Sequence, residues 1–110
     1  PNADFTLSSE IGRLGILERE NAAIMNASLR NLGKKTVDAF GQALKTLGIT
    51  CPYFITQNDG TLMSADFAKA YPVLTFASGP TNSMRGASFL TGEQDAIVVD
   101  VGGTSTDVGA

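Results

Sequence analysis

The densest chemistry in the chain lies near its end, in Asp100-Val101-Gly102-Gly103-Thr104-Ser105-Thr106-Asp107. Gly102 and Gly103 have no Cβ, so their main-chain N–H groups can come close to phosphate oxygens. Thr104, Ser105 and Thr106 can add hydroxyl donors. Asp100 and Asp107 can hold Mg²⁺ through its waters, because that ion sheds water reluctantly. Phosphoryl transfer needs mainly positioning and charge compensation, and these groups supply both. A bare Gly-Gly pair most often marks a plain hairpin turn with polar flanks. Six fixed positions, however, coincide by accident in roughly one chain in 10⁵ of this length. The segment is neither a GxxxxGK[ST] loop nor a GxGxxG dinucleotide turn. It reads as a loop that grips the phosphates of a nucleotide.

Other residues invite weaker readings. Ser78-Gly79-Pro80 opens a helical stretch, and helix starts favour anions. Ser78 and Gly79 are therefore a candidate substrate or phosphate loop, although capping alone also explains them. Asp59-Gly60 has the composition of a simple turn. Cys51 has no base beside it in sequence and is expected to be a small, inert, partly buried thiol. Tyr53 and Phe54 are expected in the core. Glu18-Arg19-Glu20 fits a solvated helix face.

Two elements must present the octet. Ala96-Ile97-Val98-Val99-Asp100-Val101 is nearly all apolar, the pattern of a strand buried on both faces. Gly102 to Ser105 then turns, and Thr106 to Gly109 begins a returning strand. Upstream, Ser8 and Ser9 are expected to cap a helix ahead of Glu10. From Ile16 to Leu32 the apolar residues Leu17, Ile24 and Ala27, and Met25, Leu29 and Leu32, repeat at helical spacings. Gly33 predicts a break or kink. Val37, Phe40, Leu44 and Leu47 form the face of a further helix, ended by Gly48 at a left-handed cap position. Tyr53 to Gln57 reads as a strand leaving into a loop at Asn58-Asp59-Gly60. Ser64 caps a short helix through Ala70, and Val73 to Phe76 predicts a strand. A last helix has Pro80 at its first position, Met84, Ala87, Ser88 and Thr91 along one side, and Gly92 at its end.

Composition removes several function classes. The 110 residues contain no His, which excludes Ser-His-Asp and Cys-His catalysis within the chain, imidazole metal sites and a His pH switch. A single Cys forms neither an internal disulfide nor a CxxC metal site. A reducing compartment fits, as does a secreted protein without disulfides, and the cytoplasm is the expected location. The net charge is −3, with no basic stripe for nucleic acid. No apolar run approaches the ~20 residues of a membrane span. The opening Pro1-Asn2-Ala3-Asp4 lacks the regions of a signal peptide. Neither nucleic acid nor membrane is an expected partner. A start at Pro1 points to a trimmed chain. Leu, Ile, Val and Phe make up about a quarter of the residues, above the roughly one fifth below which disorder is expected.

The pattern Asp-x-Gly-Gly-Thr-x-Thr-Asp resembles the phosphate hairpin of actin-like and sugar-kinase ATPases. Its Thr-Ser-Thr-Asp-Val ending looks most like the hydantoinase/oxoprolinase family. Ser8-Ser9-Glu10-Ile11, Glu18-Arg19-Glu20-Asn21, Asn26-Ala27, Gln57-Asn58-Asp59-Gly60, Pro72-Val73, Ser78-Gly79-Pro80 and Gly86-Ala87 resemble further segments of that family. Two stretches depart from it. Thr61 stands where a second Gly is usual, which predicts a less tightly turned loop. Thr81-Asn82-Ser83-Met84-Arg85 replaces smaller, more apolar residues.

The resemblance implies an α/β fragment of a two-domain RNase H-like, actin-like ATPase fold, with helices in the first half and short strands with helices in the second. Residues 1–50 would form a helical connecting region. Residues 51–94 would end the first RNase H-like domain, and residues 95–110 would supply the first strand and phosphate hairpin of the second. It also implies ATP and Mg²⁺ as cofactors, and a parent enzyme that opens a cyclic amide of hydantoin or 5-oxoproline type. Gly102, Gly103, Thr104, Ser105 and Thr106 would hold phosphate, and Asp100 and Asp107 would organise Mg²⁺ or the attacking group, with their division of labour open. A second hydantoinase subunit or domain is the implied partner. A small-molecule kinase of the same superfamily, or a non-catalytic piece that forms a homo-oligomer, are the alternatives.

Overall fold

The computed structural model describes Ala3, residues 5–13 and residues 15–110. A single turn of helix, α1 (Ser8–Ile11), leads into one long helix, α2 (Ile16–Thr46). Leu7 takes the α1 cap position without a side-chain bond, so Ser8 and Ser9 lie inside the turn and do not cap it. α2 runs unbroken through Gly33, against the expected break. The cause is a close approach. A Cβ at Gly33 would stand 2.6 Å from Pro72 Cβ, so glycine lets the Pro72 ring lie against the helix. That packing offsets the ~1 kcal/mol that a mid-helix glycine costs. At the far end Gly48 takes φ +72°. The Ile49 N–H returns to Leu44 O at 2.9 Å, as the left-handed cap requires.

The core is small. Val37, Met63 and Ala68 form its centre, with Ile55, Ala65 and Leu74 packed against them. The helical stripe read from the sequence is only partly used: Leu17, Ile24, Leu32 and Leu47 stay exposed. Phe40 meets Tyr53 edge to face with ring centroids 5.3 Å apart. Phe54 is exposed rather than in the core, and the Cys51 thiol is exposed as well. Asn26 is the fully buried polar residue that joins three segments. Its Nδ2 donates to Thr6 Oγ1 at 3.0 Å and to Ala70 O at 2.9 Å, and its Oδ1 accepts from the Val73 N–H at 3.2 Å.

The chain then forms a small hairpin, β1 (Phe54–Thr56) and β2 (Leu62–Ser64), paired antiparallel with Ile55 opposite Met63. The sequence pattern predicts only the first strand, because three residues are too few to display alternation. Ser64 caps α3 (Ala65–Ala70) by accepting from the Phe67 N–H at 3.2 Å. Residues 73–76 do not form the expected strand. Pro72–Thr75 is a 3₁₀ turn with Pro72 at its start. Pro72 fixes its own φ, Asn26 takes the Val73 N–H, and the Thr75 hydroxyl donates to Pro72 O at 2.7 Å. A β-like composition is overridden by partners that only a tight turn satisfies.

The last third consists of α4 (Ser78–Thr91), β3 (Val98–Val101) and β4 (Thr106–Gly109). Pro80 is the third residue of α4, not the first. Gly92 ends the helix at φ +76°. Among the described residues β3 and β4 form a two-stranded ladder separate from β1–β2. α4 packs on one face of it, and no room remains for a Cβ at Gly109 beneath Met84 Sδ. Among the described residues nothing covers the other face. β3 is therefore not buried on both faces here: Ile97, Val99, Val101 and Val108 are all more than half exposed. The architecture is mixed α/β.

Candidate functional site

The octet forms the end of β3, a tight turn and the start of β4. Asp100 pairs with Asp107 and Val101 with Thr106 in the ladder. Directly opposed residues share a sheet face. Asp100 and Asp107 line a crevice of about 10 Å³ with Pro80, Ser83 and Met84 of α4, room for about one water. The Ser83 hydroxyl donates to Asp100 Oδ2. The structure thus brings the two acids together at the sequence distance the motif sets. It also adds Ser83, which the motif does not contain.

At the turn, the Gly102 N–H donates to Ser105 O at 2.9 Å. That amide closes the hairpin. Among the described residues the N–H groups of Gly103, Thr104 and Ser105 donate to no protein acceptor. No residue of the turn has a positive φ. The glycines are therefore not needed for unusual dihedrals, and what they provide is access. A Cβ at Gly103 would meet nothing within 4 Å, while one at Gly102 would stand 3.3 Å from Ser105 O. Residues 102–107 are exposed throughout.

Ser78 and Gly79 form the first turn of α4, preceded by Ala77 at φ 58°. A left-handed alanine costs roughly 1–2 kcal/mol. Ser78 and Gly79 do not line the crevice with the acids; Pro80 and Ser83 do. α4 is also fixed from the other side. The Thr81 hydroxyl donates to Asn58 O at 2.8 Å and the Arg85 guanidinium donates to Gly60 O. The 57–60 loop is tight despite Thr61. Gly60 takes φ +82° and is buried. Asp59 Oδ1 accepts from the Thr61 N–H at 2.9 Å and its hydroxyl at 2.7 Å. The Thr61 hydroxyl, then its N–H, and more weakly the Arg85 charge hold the Asp59 carboxyl below the usual carboxylate range. Thr81, Ser83 and Arg85 are functional candidates the sequence pattern passes over. Their only signal is that they lie in the stretch departing from the family resemblance.

A much larger hollow, about 600 Å³, lies elsewhere, between the C-terminal half of α2, residues 49–53 and Lys69. No octet residue lines it. Volume does not point to the chemistry here, because a phosphate loop works by exposed amides on one wall. Among the described residues no three His, Cys, Asp or Glu side chains cluster to hold a metal. Two carboxylates nevertheless suit Mg²⁺, which is commonly bound by one or two acids together with substrate phosphates. The Asp100–Asp107 pair therefore fits an ion that arrives with a nucleotide. Among the described residues no helix is long and apolar enough to cross a membrane.

The hydantoinase/oxoprolinase family model matches residues 19–110, which takes in α2 from its fourth residue on, both hairpins and the whole octet. The chain belongs to the hydantoinase/oxoprolinase family. The Ser8–Ile11 segment lies ahead of the matched span. No curated protein and no solved structure matches the chain. Family membership supports a hydantoinase-type enzyme as the protein that carries it.

Proposed function

We propose that this chain supplies one phosphate-gripping hairpin of an ATP-dependent hydrolase that opens a cyclic amide, of hydantoin or 5-oxoproline type. The observation that carries this reading is the hairpin tip: three unpaired amides beside two register-matched carboxylates. The amides of Gly103, Thr104 and Ser105, with the hydroxyls of Thr104, Ser105 and Thr106, bind phosphate oxygens. Gly102 closes the turn that aims them. Asp100 and Asp107 hold Mg²⁺ through its waters or orient the attacking water. ATP, when bound, supplies the phosphoryl group that activates the ring carbonyl toward water. Ser78 and Gly79, which do not line the crevice with the acids, offer a separate anion contact at the start of α4. Other segments of the parent, or a second subunit, supply the remaining walls and the cyclic amide pocket, in an actin-like two-domain arrangement divided at about residues 50 and 94. The cytoplasm is the proposed location.

The test is a product assay on the full-length gene product with ATP and a cyclic amide. Ring-opened acid with ADP is expected. A phosphorylated product that accumulates would instead establish a kinase of the same superfamily. By calorimetry with Mg²⁺, the 110-residue chain alone should bind ATP no tighter than millimolar, because it carries only one wall.

A second reading, a non-catalytic piece that self-associates, is favoured by the bare β3–β4 face. Ile97, Val99, Val101 and Val108 form an exposed apolar stripe beside free strand edges. Such edges template association. Sedimentation velocity on the 110-residue chain should show concentration-dependent dimers or larger species, reduced by Val99→Lys.

A further inference from the structure

We infer that Ser83 is a positioning residue for Asp100, fixing the carboxylate through which the hairpin meets a metal ion at the nucleotide's phosphates. This rests on the phosphate-hairpin reading above. Ser83 lies in the second turn of α4, a regular helix, and is half-buried. Its hydroxyl donates to Asp100 Oδ2, which leaves Oδ1 without a protein partner among the described residues. A carboxylate with one oxygen pinned keeps one orientation, while a free aspartate at a strand end samples several rotamers. The adjoining crevice has room for about one water. Met84, the next residue, seats over Gly109 and fixes the same helix face to the same hairpin. Backbone packing thus sets the distance and the Ser83 hydroxyl sets the angle. Second contacts of this kind commonly govern metal affinity by 10- to 100-fold.

The experiment uses the full-length gene product carrying this chain, with Mn²⁺ as the probe and ADP present, read by the electron paramagnetic resonance of free Mn²⁺. Ser83→Ala should weaken Mn²⁺ binding about 10-fold, as expected for loss of a hydrogen bond to a charged group. The melting temperature and metal-free ADP binding should stay at wild-type values. Ser83→Thr, which keeps the hydroxyl, should restore Mn²⁺ affinity. Unchanged Mn²⁺ affinity in Ser83→Ala, or no rescue by Ser83→Thr, overturns the inference. Asp100→Ala separates the two levels. Loss of Mn²⁺ binding in Asp100→Ala with none in Ser83→Ala sinks only the role of Ser83. Full Mn²⁺ binding in Asp100→Ala sinks the hairpin reading beneath it.

Discussion

Asp100 and Asp107 stand directly opposite one another across β3 and β4, two like charges on the ladder face turned toward α4. Opposed like charges weaken a strand pair. A conflict kept at the tip of a motif is what a site selected for chemistry looks like, since local rules are broken where function needs it. Asp107→Asn should relieve the repulsion and raise the urea midpoint of the 110-residue chain slightly. In the full-length gene product the same change should lower ATP turnover by about 10- to 100-fold, the range for loss of an outer metal contact. A variant that gains stability with full turnover would remove Asp107 from the site.

Asn26 should be the most sensitive single position for stability. Its amide bonds the segment before α1, the end of α3 and the 3₁₀ turn, and it is fully buried. Asn26→Ala leaves the Val73 N–H and Ala70 O without their partner and should cost about 3 kcal/mol in urea unfolding. Asn26→Asp keeps the shape but loses the donor to Ala70 O, so it should not restore stability.

Two glycines in helices should respond to alanine with opposite signs. Gly33→Ala would drive a Cβ into the Pro72 ring. It should destabilise by about 1–3 kcal/mol despite alanine's better helix propensity. Gly86→Ala meets open space in α4. It should stabilise by about 0.4–1 kcal/mol. Thermal melts of the two variants read the difference directly.

Acid should loosen the 57–60 loop. The Asp59 carboxyl is depressed in the folded chain, so its contribution is present above the ordinary carboxylate pKa and is lost as pH falls through the folded value. Amide exchange at Thr61 should therefore accelerate, relative to the intrinsic rate, below about pH 4. Asp59→Asn should flatten that dependence, because an amide does not titrate. The loop holds α4 through Thr81 and Arg85, so the N-terminal half of α4 should show a weaker response of the same sign.

The hairpin of the octet was legible because it is local: strand, bare turn and returning strand follow from consecutive residues. The end of α2 was legible for the same reason, with Gly48 closing a local cap. What escaped depends on contacts distant in sequence. Gly33 stays helical because Pro72, 39 residues on, needs the space. Val73 and Leu74 turn because Asn26 and Asn58 hold their main chain. Ser83 joins the site only once α4 lies on the hairpin, a placement no spacing within 78–110 announces. Helical periodicity marks apolar stripes without saying whether a partner covers them. Leu17, Ile24 and Leu32 have none among the described residues.

No residue from Ser78 to Ala110 is buried, whereas the centre around Val37, Met63 and Ala68 is closed. The two parts meet chiefly through two side chains, Thr81 and Arg85, that reach carbonyl oxygens of one loop. A lone two-stranded ladder under one helix has little cooperativity of its own. Heating should therefore dissolve the chain in two steps, with the β3–β4 tip losing order while the long helix still stands, and scanning calorimetry of the 110-residue chain should resolve a small early endotherm ahead of the main one.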